Sequence, residues 1–334
     1  MITEQTTMQA SSLSSIAVIV VNYGTADLAI AAVESVLEHH HGGRTVEVHL
    51  VDNASPGDDA DVFRRAHTER HWDARVTLHL EAENHGFGRG NNVVLRKLTD
   101  RAIPPDAVFL LNPDAQMRTE TLDALANFLE TRDEVAVAGC GICRPDGAQV
   151  TAAFRFPSAR SEFVAAAAFG PISRLLHRHV VALPPDISQG QVDWVSGAAF
   201  MVRFKAVRDI GFFDPDFFLY YEEIDLMHRL TAAGWSIWHV SGADVVHEAG
   251  ASTGLQQGRS KNGRLPSYWY DSWRLYFTKR RGRTGAALVA ASRVLGWGVN
   301  ILVSTLRWRR PAGPSHFLSD FRQRVIRPIL SGRS

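Results

Sequence analysis

Cysteine is almost absent from this 334-residue chain, which has only Cys140 and Cys143. Two thiols so close together cannot staple a small scaffold, so a disulfide framework is excluded and a reducing compartment is the default. Their C-x-x-C spacing has no second Cys or His pair to complete a zinc site. They follow the apolar run Val135-Ala136-Val137-Ala138-Gly139, so we read them as part of a buried strand. The first fourteen residues lack the basic and apolar regions of a signal peptide and read as a loose polar leader. No G-x-G-x-x-G follows the first apolar run, and no G-x-x-x-x-G-K-[ST] or G-x-S-x-G occurs. Those absences argue against the common dinucleotide, P-loop and serine-hydrolase sites.

Net charge is also lacking, at +1 from 36 basic and 35 acidic residues, but that balance is an average of two unlike regions. From Thr278 onward there are twelve Lys and Arg against one acid, Asp320, a net of +11; residues 1–277 hold 24 basic and 34 acidic residues, a net of −10. An acidic body thus ends in a strongly basic tail. Hydrophobic residues make up 45% and mean hydropathy is −0.10, which excludes disorder and collagen-like sequence.

The first half alternates strands and helices. The apolar, β-branched run at 16–21 predicts a strand buried on both faces, further strands are expected at 46–51, 76–80 and 107–111, and helical spacing follows at 26–38, 59–70, 91–99 and 119–130. This rhythm predicts an α/β fold with a doubly wound, mostly parallel sheet, whose ligands bind where the strands end. A loop-rich insert with a helix near 161–169 follows, then strands or a strand–helix junction at 192–204 and a helix over 205–210. A strong helix is expected at 222–233, stopped by Gly234, and strands at 236–240 and 244–247. The organisation expected is a leader (1–14), a first half (15–140), a second half (141–255) and a tail (256–334).

Polar residues close the first four strands: Asn22, Asp52, Asn84 and Asp114. One such Asp is usually a helix cap, but four in succession suggest a site. His85-Gly86-Phe87-Gly88-Arg89-Gly90 is either a ligand loop or a tight turn. In Asn112-Pro113-Asp114 the proline stiffens the turn, so Asp114 presents a hard oxygen suited to Mg²⁺ or Mn²⁺, with a cap as the alternative. In Glu222-Glu223-Ile224-Asp225, helical spacing puts Glu223 on the face of Leu226, Met227 and Leu230. Pointing inward from the first turn and kept ionised by the helix dipole, it is a candidate general base. Glu222 groups with Asp225 and Arg229, where an i,i+4 ion pair is expected. His247 ends a short apolar run, and Gly250, Ser252 and Gly254 after it form a loop able to close over a ligand. His39-His40-His41 reads as solvated surface.

Taken in order, these segments resemble glycosyltransferase family 2, especially its bacterial rhamnosyltransferase branch acting on polyprenyl-diphosphate-GlcNAc. The resemblance rests on Val18-Ile19-Val20-Val21-Asn22-Tyr23, Val51-Asp52-Asn53-Ala54-Ser55, Asn84 to Asn92, Leu110-Leu111-Asn112-Pro113-Asp114, Gly197 to Arg203, Phe217 to Leu226 and His247. It covers residues 15–255 and implies a GT-A fold, a Rossmann-like mixed sheet flanked by helices, and sugar transfer from a nucleotide diphosphate with inversion. By position, Asp52 would hold the nucleobase, with Asn22 and Tyr23 beside the nucleoside. Asn84, Gly86 and Asn91 would flank ribose, diphosphate or donor sugar. Asp114 and His247 would hold the cation, Asp114 standing in the D-x-D position with Asn112 in its first slot. Glu223 would be the catalytic base, in place of the usual Asp. Trp194, Gly197, Ala198 and Glu222 would border the acceptor. The implied donor is dTDP-β-L-rhamnose; galactofuranosyl or mannosyl transfer, or an inactive tethered scaffold, is the alternative.

The tail speaks for a lipid-linked acceptor independently. Residues 286–306 are apolar but interrupted by Arg293, Gly296, Gly298 and Asn300, and are flanked by Lys279 to Arg283 and Arg307 to Arg310. A charge at mid-span makes a poor membrane crossing, whereas Trp297, Trp308 and basic flanks suit an interfacial helix. We expect a peripheral protein on the anionic cytoplasmic face of the plasma membrane. The apolar core of the stretch argues against nucleic acid, and contact with a second copy in a homo-oligomer is the alternative use.

Overall fold

The computed structural model describes residues 12–72, 74–248, 255–256, 259–260 and 263–332. The Gly250, Ser252 and Gly254 loop, and all of the leader before residue 12, lie outside them. Four strand–helix steps open the chain: β1 (Ser15–Asn22), α1 (Ala26–Leu37), β2 (Thr45–Asp52), α2 (Asp59–Glu69), β3 (Val76–Leu80), α3 (Gly86–Thr99), β4 (Ala107–Leu111), a short β5 (Ala115–Met117) and α4 (Thr121–Glu130). Then come β6 (Val135–Cys143), β7 (Gln149–Val150), β8 (Ala153–Phe154), α5 (Ala159–Ala167), α6 (Gly170–Leu175), β9 (Gly190–Val192), β10 (Trp194–Val195), β11 (Ala199–Arg203) and α7 (Phe204–Asp209). α8 (Glu222–Ala232), β12 (Ser236–His247) and the tail helix α9 (Ser267–Leu306) follow. α10 (Phe317–Phe321) and α11 (Arg327–Ser331) fold back on α9.

The main sheet runs β3-β2-β1-β4-β11-β6-β12-β5. β1 lies parallel to β2 and β4, and β2 to β3, as the alternation predicts. β11 enters antiparallel between β4 and β6, so the sheet is mixed. β6 crosses residue 140 and pairs in parallel with β12, so both halves of the chain share one sheet. One face is covered by α1, α2 and α4 through Val33, Phe63 and Leu125. The other is covered by α3, α7, α8 and α9 through Leu95, Val207, Leu226 and Trp273. Apolar side chains therefore face both ways along β1, which explains its uninterrupted β-branched run.

Several expectations change. The strands expected at 236–240 and 244–247 are one strand, bulged between His239 and Asp244. α3 begins at Gly86, so the glycine-rich segment is helical from its start rather than a free turn. Its glycines are demanded by close approach: a Cβ at Gly86 (φ +72°) would lie 1.8 Å from the Phe218 carbonyl oxygen, and one at Gly90 would lie 2.8 Å from Val21. His41 is buried, not solvated, and its backbone N–H donates to Glu120. Cys140 is buried and donates to the Ala199 carbonyl, and burial pushes both thiols up, in keeping with a structural role.

The tail differs most from expectation. Instead of forming a free basic flank, Lys279 pairs with Asp214 and Asp216, Arg280 with Asp225, and Arg293 with Glu162. Arg283 donates to the carbonyls of Ile329 and Leu330. The acidic body supplies the partners: Lys279, Arg280 and Arg293 each meet a carboxylate, which offsets the cost of taking the cation out of water. Gly282 takes φ +64° and ψ 176°, breaking α9 into two helical stretches. Beyond the break, Leu288, Leu295, Leu302 and Leu306 are exposed while Arg293 and Asn300 face the protein.

Candidate active site

Parallel strands deliver their last residues to one edge, and there the expected polar groups meet. Asn22 and Asp52 are register partners ending β1 and β2, and both are buried. Asn22 Nδ2 donates to Asp59 (2.8 Å) and Ser55 (3.1 Å), while Ser55 Oγ donates to Asp52 Oδ1 (2.6 Å). Tyr23, next along, is exposed. The Asn84–Gly86 turn is tied by an amide the site assignment passed over. Asn53 Nδ2 donates to Asn84 Oδ1 (3.1 Å) and Gly86 O (3.0 Å), and Asn53 Oδ1 accepts from the His85 N–H. Its sequence signal is the Asp52-Asn53-Ala54-Ser55 turn, where an amide beside a strand end can tie a neighbouring loop. Asn91 donates to the Phe87 carbonyl, leaving its buried Oδ1 without a side-chain or backbone partner. Asn92 grips both backbone groups of Phe213, holding α3 to the stretch before α8.

Asp114 follows β4 in a closed turn, in which the Ala115 N–H donates to the Asn112 carbonyl. β12 runs antiparallel to β5 with His247 opposite Ala115, which carries His247 Nε2 to 3.0 Å from Asp114 Oδ1. A carboxylate and an imidazole separated by 133 residues thus converge at the strand ends. Among the described residues no third His, Cys, Asp or Glu joins them. An oxygen and a nitrogen donor fit a divalent cation that takes its other ligands from a diphosphate. A cavity of about 190 Å³ beside Asp114 is lined by Leu28, Gln116, Arg118 and Glu248. A larger cavity, about 600 Å³, lies at the opposite end of the sheet around Asp106 and Arg203 and contains none of these groups.

Of the residues expected to border the acceptor, Gly197 and Ala198 adjoin the same turn. The Ala198 carbonyl accepts from the Asn112 N–H (2.8 Å), and a Cβ at Gly197 would lie 3.6 Å from Glu223 Cγ. Trp194 stacks on Phe154 with centroids 4.0 Å apart, but its indole N–H is spent on the Arg155 carbonyl. Glu223 lies beside Gly197 with Oε2 buried and unpartnered. Burial pushes both Glu222 and Glu223 above the usual carboxylate range, and the charge of Glu223 raises Glu222 further. One expectation is corrected here. Desolvation outweighs the helix dipole at Glu223, so the group is not simply held ionised. Glu222 and Asp225 are both buried, and Arg280 of α9 reaches Asp225. The Asp225–Arg229 pair forms at 2.7 Å.

Residues 15–211 match the profile of the family described as "Glycosyl transferase family 2". The chain is 31% identical over 222 residues to the N-acetylglucosaminyl-diphospho-decaprenol L-rhamnosyltransferase of Mycobacterium tuberculosis (strain ATCC 25618 / H37Rv), a match covering 63% of this chain and 69% of that protein. It is 27% identical over 171 residues to "Rhamnosyltransferase WbbL" of Escherichia coli (strain K12), covering 49% and 61%. Among solved structures it resembles the mannosyltransferase PcManGT from Pyrobaculum calidifontis in complex with GDP-Man and Mn²⁺. The TM-score is 0.54 at 16% identity, over 96% of this chain and 88% of that one.

Proposed function

Because the chain belongs to glycosyl transferase family 2 and is a glycosyltransferase of GT-A fold, we propose that it transfers L-rhamnose from dTDP-β-L-rhamnose, with inversion, to a polyprenyl-diphosphate-GlcNAc-type acceptor. The observation that carries the reading is the convergence of Asp114 and His247 at the strand ends, with Glu223 beside Gly197 on the adjoining rim. Asn22, Tyr23 and Asp52 bind the nucleoside. Asn84, Gly86 and Asn91 flank the diphosphate and sugar, and Trp194, Gly197, Ala198 and Glu222 border the acceptor. Glu223 takes the proton of the acceptor hydroxyl as that oxygen bonds to the anomeric carbon. The bond to the diphosphate breaks with its electron pair passing to the leaving oxygen, giving an α-L-rhamnoside. Held by Asp114 and His247, Mg²⁺ or Mn²⁺ would supply charge neutralisation of that leaving group. PcManGT was solved with Mn²⁺, which supports the metal.

The tail serves the lipid-linked acceptor. α9 is long and apolar enough to cross a membrane by length and composition. Arg293, however, turns inward to pair with Glu162, so the helix lies along the body and offers its leucine row outward. With Trp308 97% exposed beside Arg307, Arg309 and Arg310, the row suits insertion into an anionic interface.

A donor panel with a polyprenyl-diphosphate-GlcNAc acceptor tests the reading. Product is expected from dTDP-rhamnose and not from UDP-galactofuranose or GDP-mannose. Faster turnover of another sugar would replace the donor, and none with any would overturn the function.

A further inference from the structure

The tail helix reaches beyond a membrane-facing role, because its first stretch, before Gly282, builds the entrance to α8. Tyr220 and Tyr221, the two residues before Glu222, both have φ +68°, a left-handed backbone that bulky side chains rarely adopt. Such strain persists only where surroundings fix it. Here those surroundings come from α9: Ser272 Oγ donates to the Leu219 carbonyl (2.9 Å), Tyr268 stacks on Tyr220, and Trp269 and Tyr276 pack on Tyr221. One helical turn on, Asp225 is completely buried and clamped on both sides. Arg229 binds one oxygen while anchored to the carbonyls of Ile210 and Phe212, and Arg280 of α9 binds the other. Tyr276 adds a hydrogen bond to His228 (3.0 Å).

Apart from Ile210, these residues lie outside the stretch matched to the family, which ends at residue 211. We infer that α9 is part of the active-site architecture, and that Arg280 is a positioning residue which, through Asp225, fixes the first turn of α8 and so aims the Glu223 carboxylate. The inference rests on Glu223 acting as the base. Arg280 touches no reacting atom. Its effect is geometric: a buried carboxylate held by two guanidinium groups cannot rotate, so the turn bearing Glu223 keeps one orientation. A shift of that turn by a fraction of an ångström lowers turnover more than donor binding, because the nucleotide pocket is built on β1, β2 and α3.

The test uses the full-length protein and the turnover assay above. Arg280→Gln should lower kcat about tenfold or more with the nucleotide-sugar KM within about twofold, and Arg280→Lys should recover much of the loss. Vesicle flotation should stay unchanged, since Arg280 faces the protein. Because Arg280→Gln leaves a buried acid half-paired, folding is checked by thermal melting, and Asp225→Asn with Arg280→Gln gives a variant without that charge. If Arg280 acts through Asp225, the double variant is no slower than the worse single one. The inference is overturned if Arg280→Gln keeps wild-type kcat, if the two substitutions multiply, or if kcat falls only in step with vesicle binding. Retained activity in Glu223→Gln would instead overturn the base assignment, a separate outcome from any of these.

Discussion

The body and the far stretch of the tail helix invert each other's surface logic. In the body, leucine and valine are hidden on both sheet faces while most acids and arginines meet water. In α9 beyond Gly282, Arg293 and Asn300 are turned inward and Leu288, Leu295, Leu302 and Leu306 outward. A row of exposed leucines is unfavourable in water, whereas it is what an interfacial helix presents to lipid. On the proposed reading one chain is patterned for two solvents, and the charges lost from the tail surface fasten it to the body.

If that division holds, substitutions in the body should stop chemistry and leave membrane binding intact, and those on the leucine row should do the reverse. The largest effect is expected from Glu223→Gln, a loss on the order of 10³ in acceptor-dependent release of nucleotide diphosphate, with flotation unaltered. In the unsubstituted protein the acid limb of kcat/KM should lie above the ordinary Glu value of about 4.3, since burial raises the pKa of Glu223 and only its carboxylate accepts the proton. Lowering the pH through that limb protonates the base and slows turnover; a limb at or below the ordinary value would contradict the buried site.

Next comes Asp114→Asn, expected to weaken Mn²⁺-supported binding of nucleotide diphosphate by about 10²-fold in calorimetry, with metal-free binding little changed. Equal loss with and without metal would make Asp114 a cap rather than a ligand. Smaller still, Leu295→Ser with Leu302→Ser should reduce partition onto anionic vesicles about tenfold or more, while transfer to a short soluble acceptor stays near wild type. Removing the whole tail after Phe277 would not separate the two roles, because Ala286, Val289 and Ala290 belong to the core of the body. Smallest is Arg309→Ala, about fivefold in vesicle binding at low salt and fading as salt screens the surface. Vesicle binding untouched by either tail change would point the leucine row at a second copy of the chain.

Much of this was legible in sequence. β1 shows as a β-branched run because burial on both faces leaves no alternation to misread. β2, β3 and β4 show as short apolar runs bounded by turn residues, and Asn22, Asp52 and Asp114 show because parallel strands end at one edge. Burial was less legible: helical spacing groups Glu222 with Asp225 without saying that both are buried. The basic flank failed: Lys279, Arg280 and Arg283 look solvated until their partners Asp214, Asp225 and Ile329 are known.

Local order thus follows from the sequence itself, through periodicity, turn residues and charge split, since each depends on neighbours a few positions apart. Asp114 meeting His247, Asn53 shaping the Asn84 turn, Arg280 reaching Asp225 and the outward leucine row were decided only by tertiary structure. Each joins residues about thirty to 130 positions apart or depends on which face is covered, and long-range burial, unlike periodicity, leaves no mark in the local sequence.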